Sequence, residues 1–385
     1  MSSLDTFALE KLAALEARHL RRTLQDSTRA DGPWIIRNGV RLLSFSCNDY
    51  LNLAQHPAVR DAAIKAIREH GVGAGASRLV TGNHPLFAEL EMRLARLKGT
   101  EAACVFGSGY LANLGIISTL MGKNDLVLMD ELSHSCILAG ADLSGATALT
   151  FRHNDVNHAA ALLQQHRGQH RHALLATDGV FSMDGDLAPV HALATLAKQY
   201  DAWLLTDDAH GIGVVAGGRG STFVNGVADV PLQMGTLSKA IGSYGGYLCA
   251  SQSVIDLIKT RARTFVYSTG LPPASAAAAI AALNIIETDP DLVAAPLRKA
   301  QSFTRALNLR EAESPIVPIV MGDAEKTLLA SRLLEDEGFL VAAIRPPTVP
   351  PGTSRLRLTF TAAHPDDQIQ RLARLIGERI LPRAP

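Results

Sequence analysis

The sequence predicts an α/β protein whose large domain is built on a mostly parallel, doubly wound, seven-stranded sheet, with a smaller α+β C-terminal domain. Two observations predict it. From about Glu101 onward, short β-prone runs at 103–106, 126–129, 148–151, 173–177, 203–206, 232–235 and 247–250 alternate with helical patterns, which implies βαβ units. Polar residues follow these runs directly, at Ser108, His134, 178–182, 207–210 and 236–239, on the edge where doubly wound sheets bind ligands.

The N-terminal arm, 1–45, carries Leu4, Leu9, Leu12, Leu15 and Leu20 at helical spacing, so an amphipathic helix ending in Arg18, His19, Arg21 and Arg22 is expected. The large domain is assigned to 46–285. The most apolar stretch, 274–286, is alanine-rich and shorter than the ~20 apolar residues that cross a bilayer. Past Asp289-Pro290 the pattern changes to short strands at 316–321, 340–344 and 356–361 with helices between and after. This is the expected small domain, 286–385, completed by the arm.

With 385 residues, 47% hydrophobic and 19% charged, the chain reads as a globular protein of two cores. Lys+Arg and Asp+Glu are both 37, so no net field favours nucleic acid or an anionic membrane. Cys47, Cys104, Cys136 and Cys249 stand singly, which argues against disulfides and structural zinc and for a reducing cytoplasm. The acidic residues Asp5, Glu10 and Glu16 exclude a secretory or transit segment at the N-terminus.

Lys239, in a loop of small residues, and Asp207, ending an apolar run, carry the chemistry. A lysine can hold the aldehyde of pyridoxal phosphate (PLP) as a Schiff base, while a carboxylate keeps the pyridine nitrogen protonated so that the ring withdraws electrons. His210 is placed to hydrogen-bond the phenolic oxygen, and His134 to stack on the ring. Phe106-Gly-Ser-Gly-Tyr110 ends a strand and opens a helical pattern, so backbone N–H groups and the helix dipole form a phosphate cradle. Thr236 and Ser238 add hydroxyls. Taken singly, each has a plainer reading: a solvated lysine, a helix N-cap at Asp207, a structural histidine. Their succession on loops of one sheet edge favours the cofactor.

Other signals fail on context. Gly71-Val-Gly-Ala-Gly75 follows a helical stretch rather than a strand, which excludes a dinucleotide fingerprint. His153, His158, His166, His170 and His172 fit no metal-ligand spacing and read as a solvated helix face. Thr236-x-x-Lys239 lacks the partner motifs of penicillin-recognising enzymes.

These loops, together with Ser46-Cys-Asn-Asp-Tyr-Leu51, Gly75-Ala-Ser-Arg-Leu-Val-Thr-Gly82, Gly235-Thr-Leu-Ser-Lys239 and Tyr267-Ser-Thr269, resemble in type and order the α-oxoamine synthases. Those are fold-type-I PLP transferases that condense an amino acid with an acyl thioester and lose CO2, and the resemblance runs over nearly the whole chain. It implies Lys239 as the Schiff-base lysine, Asp207 as the pyridinium partner, His210 as the phenolate partner and His134 as the stacking ring. Ser182, Thr236, Gly109 and Tyr110 would complete the cofactor site, with Ser268 and Thr269 supplied across a homodimer. Arg357 would clamp the amino-acid carboxylate, with Asn48 near it, Thr348 near the acyl group, and Arg21 or Arg22 at the acyl chain's distal carboxylate. Thr81-Gly-Asn-His-Pro-Leu86 and Arg345-Pro-Pro-Thr-Val-Pro350 resemble the biotin-forming branch, which takes L-alanine and pimeloyl-CoA or pimeloyl-acyl carrier protein. The alternatives are a family member using glycine or serine with another acyl thioester, or a non-catalytic PLP-fold subunit. The chain departs from the family pattern at Ser238 and Asn52, where glycine is usual.

Overall fold

The computed structural model describes residues 1–18 and 20–381. The chain divides into two compact units, Asn48–Arg298 and a second formed from Met1–Cys47 and Lys299–Pro385.

The first unit is built on a seven-stranded sheet whose spatial order is Ala102–Phe106, Gly246–Ala250, Leu232–Thr236, Trp203–Asp207, Ala173–Asp178, Leu126–Asp130, Thr147–Phe151. Gly246–Ala250 runs antiparallel to both neighbours; the other pairings are parallel. Strands covered on both faces need apolar residues at every position, and alternate residues then feed opposite cores. That is observed: Val127, Met129, Leu174, Ala176 and Leu205 pack in one cluster, while Leu126, Leu128, Ala173, Leu175 and Leu204 pack in the other. The parallel strands Ala173–Asp178, Trp203–Asp207 and Leu232–Thr236 all deliver their carboxyl ends to one edge.

In the other unit, Ser354–Thr359 is flanked by Ile316–Gly322 and Ala342–Ile344 in an antiparallel sheet. Val40–Ser44 pairs with Trp34–Arg37 and, in parallel, with Phe339–Leu340, so both ends of the chain build this unit. The 340–344 run expected as one strand is split at Val341. Its first part joins the sheet of the N-terminal arm and its second joins Ser354–Thr359.

The N-terminal helix, Ser3–Glu16, starts at a Ser2/Asp5 capping box and has no buried residue. It ends before the basic residues expected to close it. Ala17 N–H bonds back to Ala13 O and Leu20 N–H to Leu15 O, so Arg18, Arg21 and Arg22 follow the helix instead of forming its last turn. His19 lies outside the described residues. No helix among the described residues is long and apolar enough to cross a membrane.

Candidate active site

At the carboxyl edge of the seven-stranded sheet lies a cavity of about 220 Å³. Lys239, Asp207, His210, His134, Ser182, Thr236, Gly109 and Tyr110, all expected from the sequence, line it.

Lys239 sits in the loop between Leu232–Thr236 and Gly246–Ala250. Thr236 Oγ1 donates to Gly245 O at 2.7 Å, Leu237 N–H to the same oxygen at 2.9 Å, and Ser243 N–H to Leu237 O at 2.8 Å. Gly242 turns this loop at φ +70°, and a Cβ there would lie 2.4 Å from Ala54 N, so only glycine fits. Lys239 Nζ is thereby held 2.7 Å from His210 Nε2.

Asp207 ends its strand and is 5% exposed. Its carboxylate accepts from Asn113 Nδ2 at 2.7 Å and from Ala209 N–H at 2.9 Å. No helix follows it, so the N-cap alternative does not hold. The adjacent Asp208 turns away and pairs with Lys98 Nζ at 2.8 Å, both side chains fully buried. Asp178 is also buried, accepting His134 N–H at 3.0 Å, and burial together with the charge of Asp207 holds its carboxyl well above the usual carboxylate range.

His134 caps the helix Ser135–Ser144, and its Nδ1 lies 2.8 Å from Cys136 Sγ. Burial lowers its pKa, so the neutral ring suited to stacking is favoured. Gly109 opens the helix Gly109–Leu120 with Ser108 as N-cap, leaving first-turn N–H groups without helical partners. A Cβ on Gly246 would lie 2.6 Å from Gly109 N, so a glycine on the neighbouring strand lets this cradle close on the sheet.

The two departures from the family pattern have structural accounts. Asn52 is left-handed at φ 56°, a conformation glycine adopts freely and asparagine tolerates best among side-chain-bearing residues. Ser238 Oγ lies 2.8 Å from Thr236 Oγ1, adding a second hydroxyl to the cavity wall.

Other expected residues fall elsewhere. Ser268 and Thr269 line a separate small pocket with Arg78. Arg21, Arg22 and Thr348 line a cavity of about 820 Å³ within the second unit, where Arg22 donates to Thr348 Oγ1 at 2.7 Å and Arg21 pairs with Glu16. Arg357 is buried on the Ser354–Thr359 strand, and Asn48 is half-buried, its Oδ1 3.4 Å from Tyr50 Oη.

Sequence reasoning passed over Tyr50 and Asn113 as partners of the site, and it placed Asp178 at the ligand edge without giving it a role. Tyr50 Oη lies 2.6 Å from His210 Nδ1. Its signal was present in the Ser46–Leu51 motif, where it received no role. Of the five histidines read as one solvated helix face, only His158 and His166 lie in a helix; His153 lies in a turn between Asp130 and Asp186, His170 in a bend, His172 just before the Ala173–Asp178 strand, and all five are half-buried. Among the described residues no group of three or more His, Cys, Asp or Glu could hold a metal ion.

The donor set fits PLP: an amine, a buried carboxylate, a neutral ring and a helix N-terminus facing one cavity. Residues 40–376 match the model of the aminotransferase class I and II family, so the protein is a fold-type-I enzyme of the PLP-dependent class. More narrowly, the chain belongs to the 8-amino-7-oxononanoate synthases, a family of PLP-dependent acyltransferases. It is 63% identical over 385 residues to the putative 8-amino-7-oxononanoate synthase of Parvibaculum lavamentivorans, covering 100% of this chain and 99% of that one. To the 8-amino-7-oxononanoate synthase of Beijerinckia indica subsp. indica it is 63% identical over 98% of each chain. A solved serine palmitoyltransferase from S. paucimobilis with a bound PLP–myriocin aldimine superposes with a TM-score of 0.91 at 27% identity, covering 98% of each chain.

Proposed function

We propose that the protein condenses L-alanine with a pimeloyl thioester, carried on coenzyme A or on acyl carrier protein, releasing 8-amino-7-oxononanoate, CO2 and the free thiol for biotin formation. We infer that it works as a cytoplasmic homodimer. The observation that carries the reading is the meeting of Lys239 and Asp207 in one cavity, in a chain nearly two-thirds identical to relatives named for this reaction.

PLP, when bound, supplies an aldehyde carbon for amines and a pyridinium ring that takes up the electron pair left at Cα by loss of a proton or of CO2. Lys239 would hold the cofactor through Nζ and, displaced by the amino acid, move the Cα proton with that amine. His210, whose Nε2 lies 2.7 Å from Nζ, would donate a hydrogen bond to the phenolic oxygen. Asp207, oriented by Asn113, would hold the proton on the pyridine nitrogen, each pKa unit being worth ~1.4 kcal/mol. The Gly109 helix start with Thr236 and Ser238 would bind the phosphate, Ser182 would complete the cofactor site, and His134 would cover the ring face.

Substrate-binding roles are inferred for Arg357 and Asn48 at the amino-acid carboxylate and for Thr348 at the acyl group. Arg22 is favoured over Arg21 for the distal pimeloyl carboxylate, because it already bonds Thr348 whereas Arg21 is engaged by Glu16. Ser268 and Thr269 line a pocket apart from Lys239, which supports their serving a neighbouring subunit's site.

The test offers purified protein alanine, glycine or serine with a pimeloyl, acetyl, succinyl or long-chain acyl thioester and identifies products by mass spectrometry. The proposal expects product from alanine and pimeloyl thioester. Product from serine or glycine alone would overturn it.

A further inference from the structure

His153 occupies the turn after the edge strand Thr147–Phe151, yet its ring reaches the last residue of the adjacent Leu126–Asp130 strand and the loop that follows Ala173–Asp178. Its Nδ1 lies 3.1 Å from Asp130 Oδ1 and its Nε2 2.8 Å from Asp186 Oδ2. Carboxylates only accept, so both contacts are made at once when both ring nitrogens carry hydrogen. Burial alone would lower the pKa of this histidine, but the hydrogen bonds to Asp130 and Asp186 and their charges hold it up at about 10. The backbone N–H of His153 also donates to Glu131 Oε1 at 2.9 Å, and Phe181 meets the ring edge-on at 4.4 Å.

Each aspartate is itself built into a loop that reaches the cavity. Asp130 ends the Leu126–Asp130 strand, and its carboxylate accepts Leu132 N–H at 2.8 Å and Asn154 N–H at 2.7 Å. Two residues beyond Leu132 stands His134. Asp186 accepts Asn154 Nδ2 at 3.1 Å, and its backbone oxygen accepts Phe181 N–H at 3.1 Å, closing the turn that carries Ser182. One cation thus joins the supports of two cavity-lining residues that share no stretch of chain.

We propose that His153 is a positioning residue for the reaction: held between Asp130 and Asp186, it locks the His134 loop to the Ser182 loop and sets the spacing of both groups around the cofactor. This rests on the PLP reading of the cavity.

Two full-length variants separate charge from geometry. The double variant Asp130→Asn/His153→Gln removes the cation and one carboxylate together, leaving less uncompensated charge than His153→Gln alone. His153→Lys keeps the charge but reaches one carboxylate at a time. The readouts are PLP affinity of the apo-protein by absorbance titration, hydrogen exchange of segments 130–136 and 181–187, the urea midpoint, and kcat against KM. The double variant is expected to unfold cooperatively, to exchange faster in both segments, and to bind PLP about tenfold or more weakly, the scale on which outer-shell partners tune a bound group. His153→Lys should recover part of that affinity. Faster exchange with unchanged PLP affinity and kcat would reduce His153 to a stability staple, and unchanged exchange would mean there is no lock; either overturns the proposal. Wild-type protein that binds no PLP would instead sink the reading of the cavity itself.

Discussion

Tyr50 Oη and His210 Nδ1 lie 2.6 Å apart with the tyrosine fully buried, and the opposite nitrogen of the same ring lies 2.7 Å from Lys239 Nζ. A hydroxyl on one side of the imidazole therefore orients the nitrogen that faces the Lys239 amine. Tyr50→Phe keeps the packing and removes this bond. It should cost about 1–3 kcal/mol in urea unfolding, the desolvation cost of a buried polar group that loses its partner. It should also lower kcat while Lys239 is still trapped by borohydride. Unchanged kcat would show that His210 is held by other contacts.

Lys239→Ala removes the amine proposed both to hold the cofactor and to move the proton. Turnover should vanish, and borohydride should no longer fix PLP to the chain, as peptide mass analysis would show. Because the phosphate cradle proposed at Gly109 and Thr236 remains, PLP itself should still bind. Product formation at the wild-type rate would refute the assignment.

Lys98 and Asp208 form a fully buried pair, with the lysine also donating to Arg219 O at 2.6 Å and the aspartate accepting Ser221 N–H at 2.9 Å. A Cβ on Gly179, Gly211 or Gly220 would lie 2.2–2.5 Å from an Asp208 carboxylate oxygen, so this carboxylate has no room to move. Breaking a buried pair from one side leaves an uncompensated charge, and Lys98→Met should cost about 3–5 kcal/mol. Adding Asp208→Asn should recover much of that loss. Urea midpoints of the single and double variants decide it.

His364 is buried, donating through Nε2 to Ser44 O at 3.0 Å, accepting Thr361 N–H at 2.8 Å through Nδ1, and stacked on Phe45 at 4.0 Å. Burial pushes its pKa down to about 4 from 6.5. A histidine whose folded pKa is depressed contributes stability that is fully present above the unfolded pKa and is lost as pH falls. Between pH 6.5 and 4 this site should therefore remove roughly 3 kcal/mol. Chemical unfolding across that window should show the loss in wild type and a flatter profile in His364→Gln.

Most strands of the large sheet were legible because they are apolar at consecutive positions and bounded by polar loops, a pattern set by neighbours along the chain; Thr147–Phe151 and Leu232–Thr236, interrupted by Thr150 and Gln233, were legible from the alternation with helices. For the same reason the order of residues alone assigns the loops of Lys239, Asp207, His134 and Gly109 to one edge, since a parallel sheet sends its carboxyl ends to one side. The limits were equally physical. The 340–344 run looks uniform, yet Leu340 pairs with Ser44 and Ala342 with Arg357, partners no local pattern encodes. His153 reads as one polar residue among several histidines, and only the fold brings Asp130 and Asp186, 23 and 33 positions away, to its two nitrogens. Periodicity records which face of an element is buried; which side chains meet across loops depends on chain closure over long separations, and that is settled by packing.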